Sequence, residues 1–276
     1  MPIAAVLTNP RADRVSAIRA LERVSARRRY GRILVEGPQS VREAVRHVAP
    51  RVRDVYLTHR ARERWPEIEE VALAAGLYVH PTDDAVMARM STDAQGVLAV
   101  LEDASPTLAQ VLERITTPRL VAVCEQLSDP GNAGTIIRAA DAVGADLVVL
   151  SEGSVDITSP KVIRSTAGSM FHLPVVRGRS LTEILTALRE RGLAILAADG
   201  AGEGDLESFG MLHRPSAWVF GTEAAGLSDL ARAQADRVLR IPMRGNAESL
   251  NVAMAATLCL YASSRAQAPL AARVRR

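Results

Sequence analysis

Leu120-Val-Ala-Val-Cys-Glu-Gln-Leu-Ser-Asp-Pro-Gly-Asn-Ala-Gly-Thr-Ile-Ile-Arg138 is the stretch whose reading decides the fold. Its first five residues are apolar without a break, the pattern of a strand buried on both faces of a sheet. A turn containing proline and glycine follows, and then small and apolar residues suited to a helix. Strand, glycine turn and helix in that order open an α/β unit. Further strands are predicted at Asp146–Leu150, Leu193–Ala197, Ser216–Phe220 and Arg237–Ile241, with helical stretches between them. Such a series implies a parallel sheet covered on both sides, and Asn251–Ser264 reads as its last helix.

The same stretch carries polar groups that need an explanation. Asn132 can cap a helix starting at Ala133, and Gly144 can end it; a functional role for Asn132 is the alternative. Arg138 sits within an otherwise small, apolar helix, where a charge has no packing reason to be. A dinucleotide fingerprint needs three glycines in register, but Gly131 and Gly134 stand three apart with no third in place. The lysine and hydroxyl pair of a phosphate-binding P-loop is missing too. Two later segments also leave strands into glycine turns: Phe220-Gly-Thr-Glu-Ala-Ala-Gly-Leu-Ser228 and Ile241-Pro-Met-Arg-Gly-Asn-Ala-Glu-Ser-Leu-Asn251. Glu223 falls at the carboxyl edge of the sheet, where ligands bind in open α/β folds; capping of a following turn is its plainer role.

Working toward the N-terminus, Glu102-Asp-Ala-Ser-Pro106 is polar and broken by proline, a suitable linker, with a short helix predicted over Leu108–Ile115. Before it, strands at 32–36, 52–57, 77–79 and 96–101 alternate with helices at 40–47 and 65–75, which indicates a small α/β domain. Residues 11–29 read as one basic amphipathic helix. Eight arginines crowd residues 11–32 against Asp13 and Glu22. Arg27, Arg28 and Arg29 are the centre of that patch, which is either a solvated helix face or a surface for RNA phosphates. The expected layout is 1–103, an N-terminal domain; 104–117, linker and short helix; 118–264, the parallel-sheet domain; and 265–276, a tail.

Composition sets outer limits. The chain has 276 residues, 48% hydrophobic and 24% charged, with a net charge of +3, an ordinary balance for a globular enzyme. No apolar run is long enough to span a bilayer and the N-terminus makes a poor signal peptide, so a cytoplasmic protein is expected. Cys124 and Cys259 lie in apolar segments and read as buried thiols; no metal cluster is apparent from spacing. A single lysine, Lys161, stands among many arginines.

In order and spacing, the three segments at 129–138, 220–228 and 241–251 resemble the motifs of the SpoU (TrmH-type) RNA 2′-O-ribose methyltransferases of the SPOUT superfamily. The resemblance implies a deep trefoil knot threading the second and third segments, and a homodimer through the C-terminal domain with the last helix in the interface. It implies S-adenosylmethionine as cofactor, held by Phe220, Gly221, Thr222, Ile241, Met243, Ser249 and Leu250. It also implies catalytic roles for Arg138, Asn132, Glu223, Ser249 and Asn251, with no metal. Ser154–Ser165 and Ala167–Ser169 resemble a family loop near the active site, which makes Lys161, Arg164 and Ser165 candidates for RNA contact. Gly31–Gly37 and Ser91–Leu98 resemble the substrate-binding domain of ribosomal RNA members, including the thiostrepton-resistance methyltransferase. The expected substrate is therefore ribosomal RNA of the 23S type. Transfer RNA is the alternative substrate, and a non-catalytic RNA-binding protein on the same fold is the alternative from another class.

Overall fold

The computed structural model describes residues 5–222 and 226–268. These form two compact units, one running to Ala104 and joined by Asp156–His172, the other made of Ser105–Val155 and the chain from Leu173 onward. The first part of the chain contains α1 (Asp13–Ala20), α2 (Val24–Tyr30), β1 (Arg32–Glu36), α3 (Pro38–His47), β2 (Val52–Leu57), α4 (His59–Arg64), α5 (Pro66–Ala74), β3 (Tyr78–Pro81), α6 (Asp84–Met90) and β4 (Val97–Glu102). Then come α7 (Leu108–Arg114), β5 (Leu120–Cys124), α8 (Pro130–Ala142), β6 (Leu147–Leu150), α9 (Pro160–Ser165), β7 (Val175–Arg177) and α10 (Leu181–Arg189). The last elements are β8 (Ala194–Ala198), β9 (Gly204–Asp205), β10 (Ser216–Phe220), α11 (Asp229–Gln234), β11 (Arg237–Arg240) and α12 (Val252–Gln267).

The first unit is an α/β/α layer built on a sheet of order β1-β4-β2-β3. Alternation along the strands supplies a core to each face. Ile33, Val35, Ala99 and Leu101 pack on one side with Val41 and Val45 of α3 and Ile68 of α5. Leu34, Leu98 and Val100 point the other way, onto Val15 and Ile18 of α1 and Val86 and Met90 of α6. Sequence spacing places Asp156–His172 in the C-terminal domain, yet its Ile163 and Phe171 pack into the first unit's core.

The second unit is a seven-stranded parallel sheet of order β7-β6-β5-β10-β8-β11-β9. One face packs Val121, Val123, Ala217 and Val219 against Ile184, Leu185 and Leu188 of α10. The opposite residues of β10 face α12, where the buried Trp218 indole donates to Ser263 Oγ at 2.8 Å. Cys124 and Cys259 are both free and buried, and burial pushes the Cys259 thiol up to about 12. Among the described residues, no helix is long and apolar enough to cross a membrane.

The structure corrects the expected basic helix in two ways. Residues 11–29 form two helices, because the chain turns at Leu21–Arg23 to keep Leu21 in the core. Arg27 is not on the surface: it is 4% exposed. Its Nη1 donates to the Leu21 and Glu22 carbonyls, its Nε to Thr158 Oγ1 and its Nη2 to Asp156 at 2.8 Å. Arg27 therefore closes the α1–α2 turn and docks the Asp156 segment, whereas Arg28 and Arg29 are exposed. Burial alone would raise the Asp156 carboxyl, but the bonds from Arg27 and Thr158 outweigh it and hold the group below its ordinary value.

Arg27→Ala takes the cationic partner from that carboxylate, and a thermal melt should show a loss of roughly 3 kcal/mol, against under about 0.5 for Arg28→Ala. The Asp156 contribution is present at neutral pH. It should fade as pH falls from about 3.9 through the lower folded-state value, so the gap between wild type and Arg27→Ala should narrow in acid.

Candidate active site

The carboxyl edge of the parallel sheet gathers the residues the sequence singles out. β10 ends at Phe220, and the chain bends at Gly221 so tightly that a Cβ there would lie 2.1 Å from the Gly226 carbonyl oxygen. Only glycine permits that approach. Thr222 N–H donates to the Gly226 carbonyl at 2.9 Å and Gly226 N–H donates back at 3.0 Å, closing the loop. From the neighbouring β5, the buried Glu125 carboxylate receives the Ser228 backbone N–H at 3.0 Å and the Ser228 hydroxyl. Ser228 Oγ in turn caps α11, accepting from Ala231 N–H at 3.0 Å. One carboxylate thus pins the far end of the loop to the adjacent strand.

After β11 the chain returns along the same edge through Ile241–Leu250. Phe220, Gly221, Thr222, Ile241, Met243, Ser249 and Leu250 all line one cavity of about 380 Å³. Its walls mix apolar residues and glycines with Thr222, Glu248 and Ser249, and Asp199 and Arg232 form an ion pair at 2.8 Å to one side. Walls that combine apolar side chains with polar groups suit a flat heterocycle with a polar tail.

Of the two roles open to Asn132, capping of α8 is not the one it takes. Pro130 occupies the first turn and Asp129 is the cap, accepting from Asn132 N–H at 2.7 Å. The Asn132 side chain is therefore available elsewhere, and its Oδ1 accepts from Asn251 Nδ2 at 3.0 Å. Asn251 Oδ1 meanwhile caps α12 through Ala253 N–H at 2.9 Å. Gly144 does lie beyond the end of α8, in the left-handed conformation such ends favour.

Arg138 lies farther along α8, exposed, outside the cavity lining and without a hydrogen bond or ion pair to another described residue. Glu223 lies outside the described residues. The other candidates sit on the first unit. Lys161 is exposed, and Ser165 Oγ donates to the Lys161 carbonyl at 2.7 Å. Arg164 is engaged by Glu36 at 2.6 Å and Asp93 at 2.9 Å, so its charge is already matched there. Sequence reasoning misses Glu125, Asp199 and Arg232. A charge directly after an apolar strand is the available sign for Glu125, but its partner lies 103 residues away.

Residues 119–261 match the model of the SpoU rRNA Methylase family. The chain is 30% identical over 237 residues to the 23S rRNA (guanosine-2'-O-)-methyltransferase RlmB of Bordetella pertussis, covering 84% of this chain and 96% of that protein. It is 32% identical over 250 residues to the 23S rRNA (uridine(2479)-2'-O)-methyltransferase of Streptomyces viridochromogenes, covering 87% and 84%. Among solved structures, the AdoMet-bound rRNA methyltransferase from Sinorhizobium meliloti superposes with a TM-score of 0.80 at 26% identity, covering 96% of this chain and 98% of that one.

The two tasks of Asn251 can be separated by mutation. Asn251→Ala loses the α12 cap and the bond to Asn132, and should cost about 1–2 kcal/mol in chemical denaturation. Asn251→Asp keeps the cap but cannot donate to Asn132. It should recover most of that stability; equal losses in the two variants would mean that the bond to Asn132, rather than the cap, holds the start of α12.

Proposed function

The chain belongs to the SpoU rRNA methylase family, and from that premise we propose that it methylates a ribose 2′-hydroxyl of 23S-type ribosomal RNA. The observation that carries this reading is the single cavity walled by both the 220–222 and 241–250 segments, with Asn132 and Asn251 joined beside them. The cofactor is S-adenosylmethionine, in keeping with the AdoMet-bound structural neighbour. The residues present fit it. About 380 Å³ lies within the range of small-ligand pockets, and Gly221 and Gly226 bring loop backbone into its wall, where amides and carbonyls suit an adenine edge. A knot tying the second and third segments is part of the same reading, supported by their common cavity wall. So is a place of action beside ribosomal RNA in the cytoplasm.

S-adenosylmethionine supplies a methyl group on a sulfonium, already a good electrophile. The protein's task is then to aim the hydroxyl and manage its proton, and orientation can supply roughly 7–11 kcal/mol. Arg138 is a poor base, because a guanidinium stays charged in proteins and offers only donors. Its planar fork suits another task, gripping a phosphate oxygen while stabilising the developing 2′-alkoxide. The proton then leaves to phosphate or water. Asn132 and Glu223 orient the ribose or the arginine, and Ser249 and Asn251 shape the pocket.

Among the described residues, Arg138 is not in the lining of the 380 Å³ cavity, which favours its service to a partner's cofactor in a homodimer. The outer face of α12 supports such a dimer. Met254, Leu258 and Tyr261 recur at helical spacing and are 61%, 46% and 59% exposed, too apolar a stripe for a free surface. A second depression of about 1030 Å³ beside Leu258 and Tyr261 shares Ile241, Met243 and Leu250 with the cofactor cavity, so a partner there would border the site. For RNA, Arg28, Arg29 and Lys161 are the exposed cations that remain once Arg27 is assigned to the core.

Arg138→Ala should abolish methyl transfer to ribosomal RNA while leaving calorimetric affinity for S-adenosylhomocysteine within about twofold. Arg138→Lys should be nearly as inactive, since lysine keeps the charge but loses the fork; near-normal turnover in the lysine variant would refute the positioning role. Sedimentation should give a dimer at micromolar concentration, and Leu258→Glu with Tyr261→Glu should shift it to monomer. Replacing Arg28 and Arg29 by alanine should weaken RNA binding and flatten its salt dependence with cofactor binding intact.

A further inference from the structure

Away from the methyl-transfer site, the first unit brings together three metal-ligating side chains that lie far apart in sequence. Glu43 and His47 stand one turn apart on α3, and His172 follows the short 3₁₀ turn Ser169–Phe171 at the end of the Asp156–His172 segment. His172 Nε2 lies 3.2 Å from Glu43 Oε2 and His47 Nε2 lies 3.3 Å from the same oxygen. The two imidazoles meet edge to face with centroids 4.6 Å apart. All three ligand atoms fall within 4.8 Å of one another.

We propose that Glu43, His47 and His172 form a binding site for a divalent transition metal of the zinc class. The distances carry the argument. Zinc holds imidazole nitrogen and carboxylate oxygen at about 2.0–2.2 Å, which puts neighbouring ligands of a tetrahedron about 3.3 Å apart. Two of the three edges already have that length, and the third closes by small rotations of two half-exposed rings. Two histidines with one carboxylate is a donor set suited to zinc, and it leaves a fourth position for water on the open side.

The backbone is shaped for this convergence. Ala167 and Gly168 are both left-handed, at φ 52° and 100°. A Cβ on Gly168 would lie 2.5 Å from Glu43 Cγ, so only glycine lets the turn bearing His172 press against α3. Arg46 approaches the other oxygen, Glu43 Oε1, at 3.7 Å, leaving Oε2 to the histidines. A metal there would staple the segment that carries Lys161 to helix α3.

The test uses the full chain, free of any affinity tag and stripped with chelator. Zinc titrated by calorimetry should bind at one equivalent per chain, and cobalt substituted for it should give visible absorption bands of tetrahedral strength. His47→Ala and His172→Ala should each weaken zinc binding at least tenfold and abolish the rise in melting temperature that zinc gives wild type. His59→Ala, an exposed histidine elsewhere on the unit, should change neither. Glu43→Gln serves as a further variant should either alanine variant fail to fold. Absence of zinc binding by wild type, or unchanged affinity in any folded site variant, would overturn the proposal.

Discussion

The bend after β10 depends on the absence of one carbon atom. With no Cβ at Gly221, the backbone can lie against the Gly226 carbonyl and the loop can fold back across the sheet edge. Glu125 then holds the returning end at Ser228 from the neighbouring strand. Because β10 is the central strand between β5 and β8, this bend stands at the middle of the sheet's carboxyl edge. The third segment follows β11, and the 380 Å³ cavity is lined by both returns. Any side chain at Gly221 forces the Gly226–Leu227 backbone away from β10.

Two amide side chains connect this pocket to the helix bearing Arg138. Asn251 caps α12 with its oxygen and holds Asn132 with its nitrogen, so the orientation of α12 is coupled to the start of α8. A residue fixed by a cap has few rotamers left, which is the rigidity a positioning group needs. The arginines divide along a similar line. Arg27 and Arg164 have found carboxylates and serve architecture, while Arg28 and Arg138 present charge to solvent. Burial and partners, not position in a basic run, decide which arginines can meet RNA.

Much of the fold is legible in the sequence because strands buried on both faces read as unbroken apolar runs. The predicted ends of β5, β6, β8 and β10 agree with the structure to within a residue or so. β7 and β9 are three and two residues long and carry too little pattern to be seen. The start of α8 is misplaced by local reasoning because asparagine is a good cap, but Asp129 followed by Pro130 is the better pair. The basic helix breaks because its pattern takes no account of the need to bury Leu21. Long-range pairs are out of reach. Nothing in local spacing joins Glu125 to Ser228, Asn132 to Asn251 or Glu43 to His172, and family resemblance, more than periodicity, is what links the three motifs into one site.

The central claim is that the methyl group arrives on a ribose oxygen. Incubating the protein with protein-free ribosomal RNA and methyl-labelled S-adenosylmethionine, then digesting to nucleosides for mass spectrometry, tests it directly. Label should appear in a single 2′-O-methylnucleoside from the large ribosomal RNA and be absent with Arg138→Ala. Label on a base, or label taken up only by transfer RNA, would contradict it.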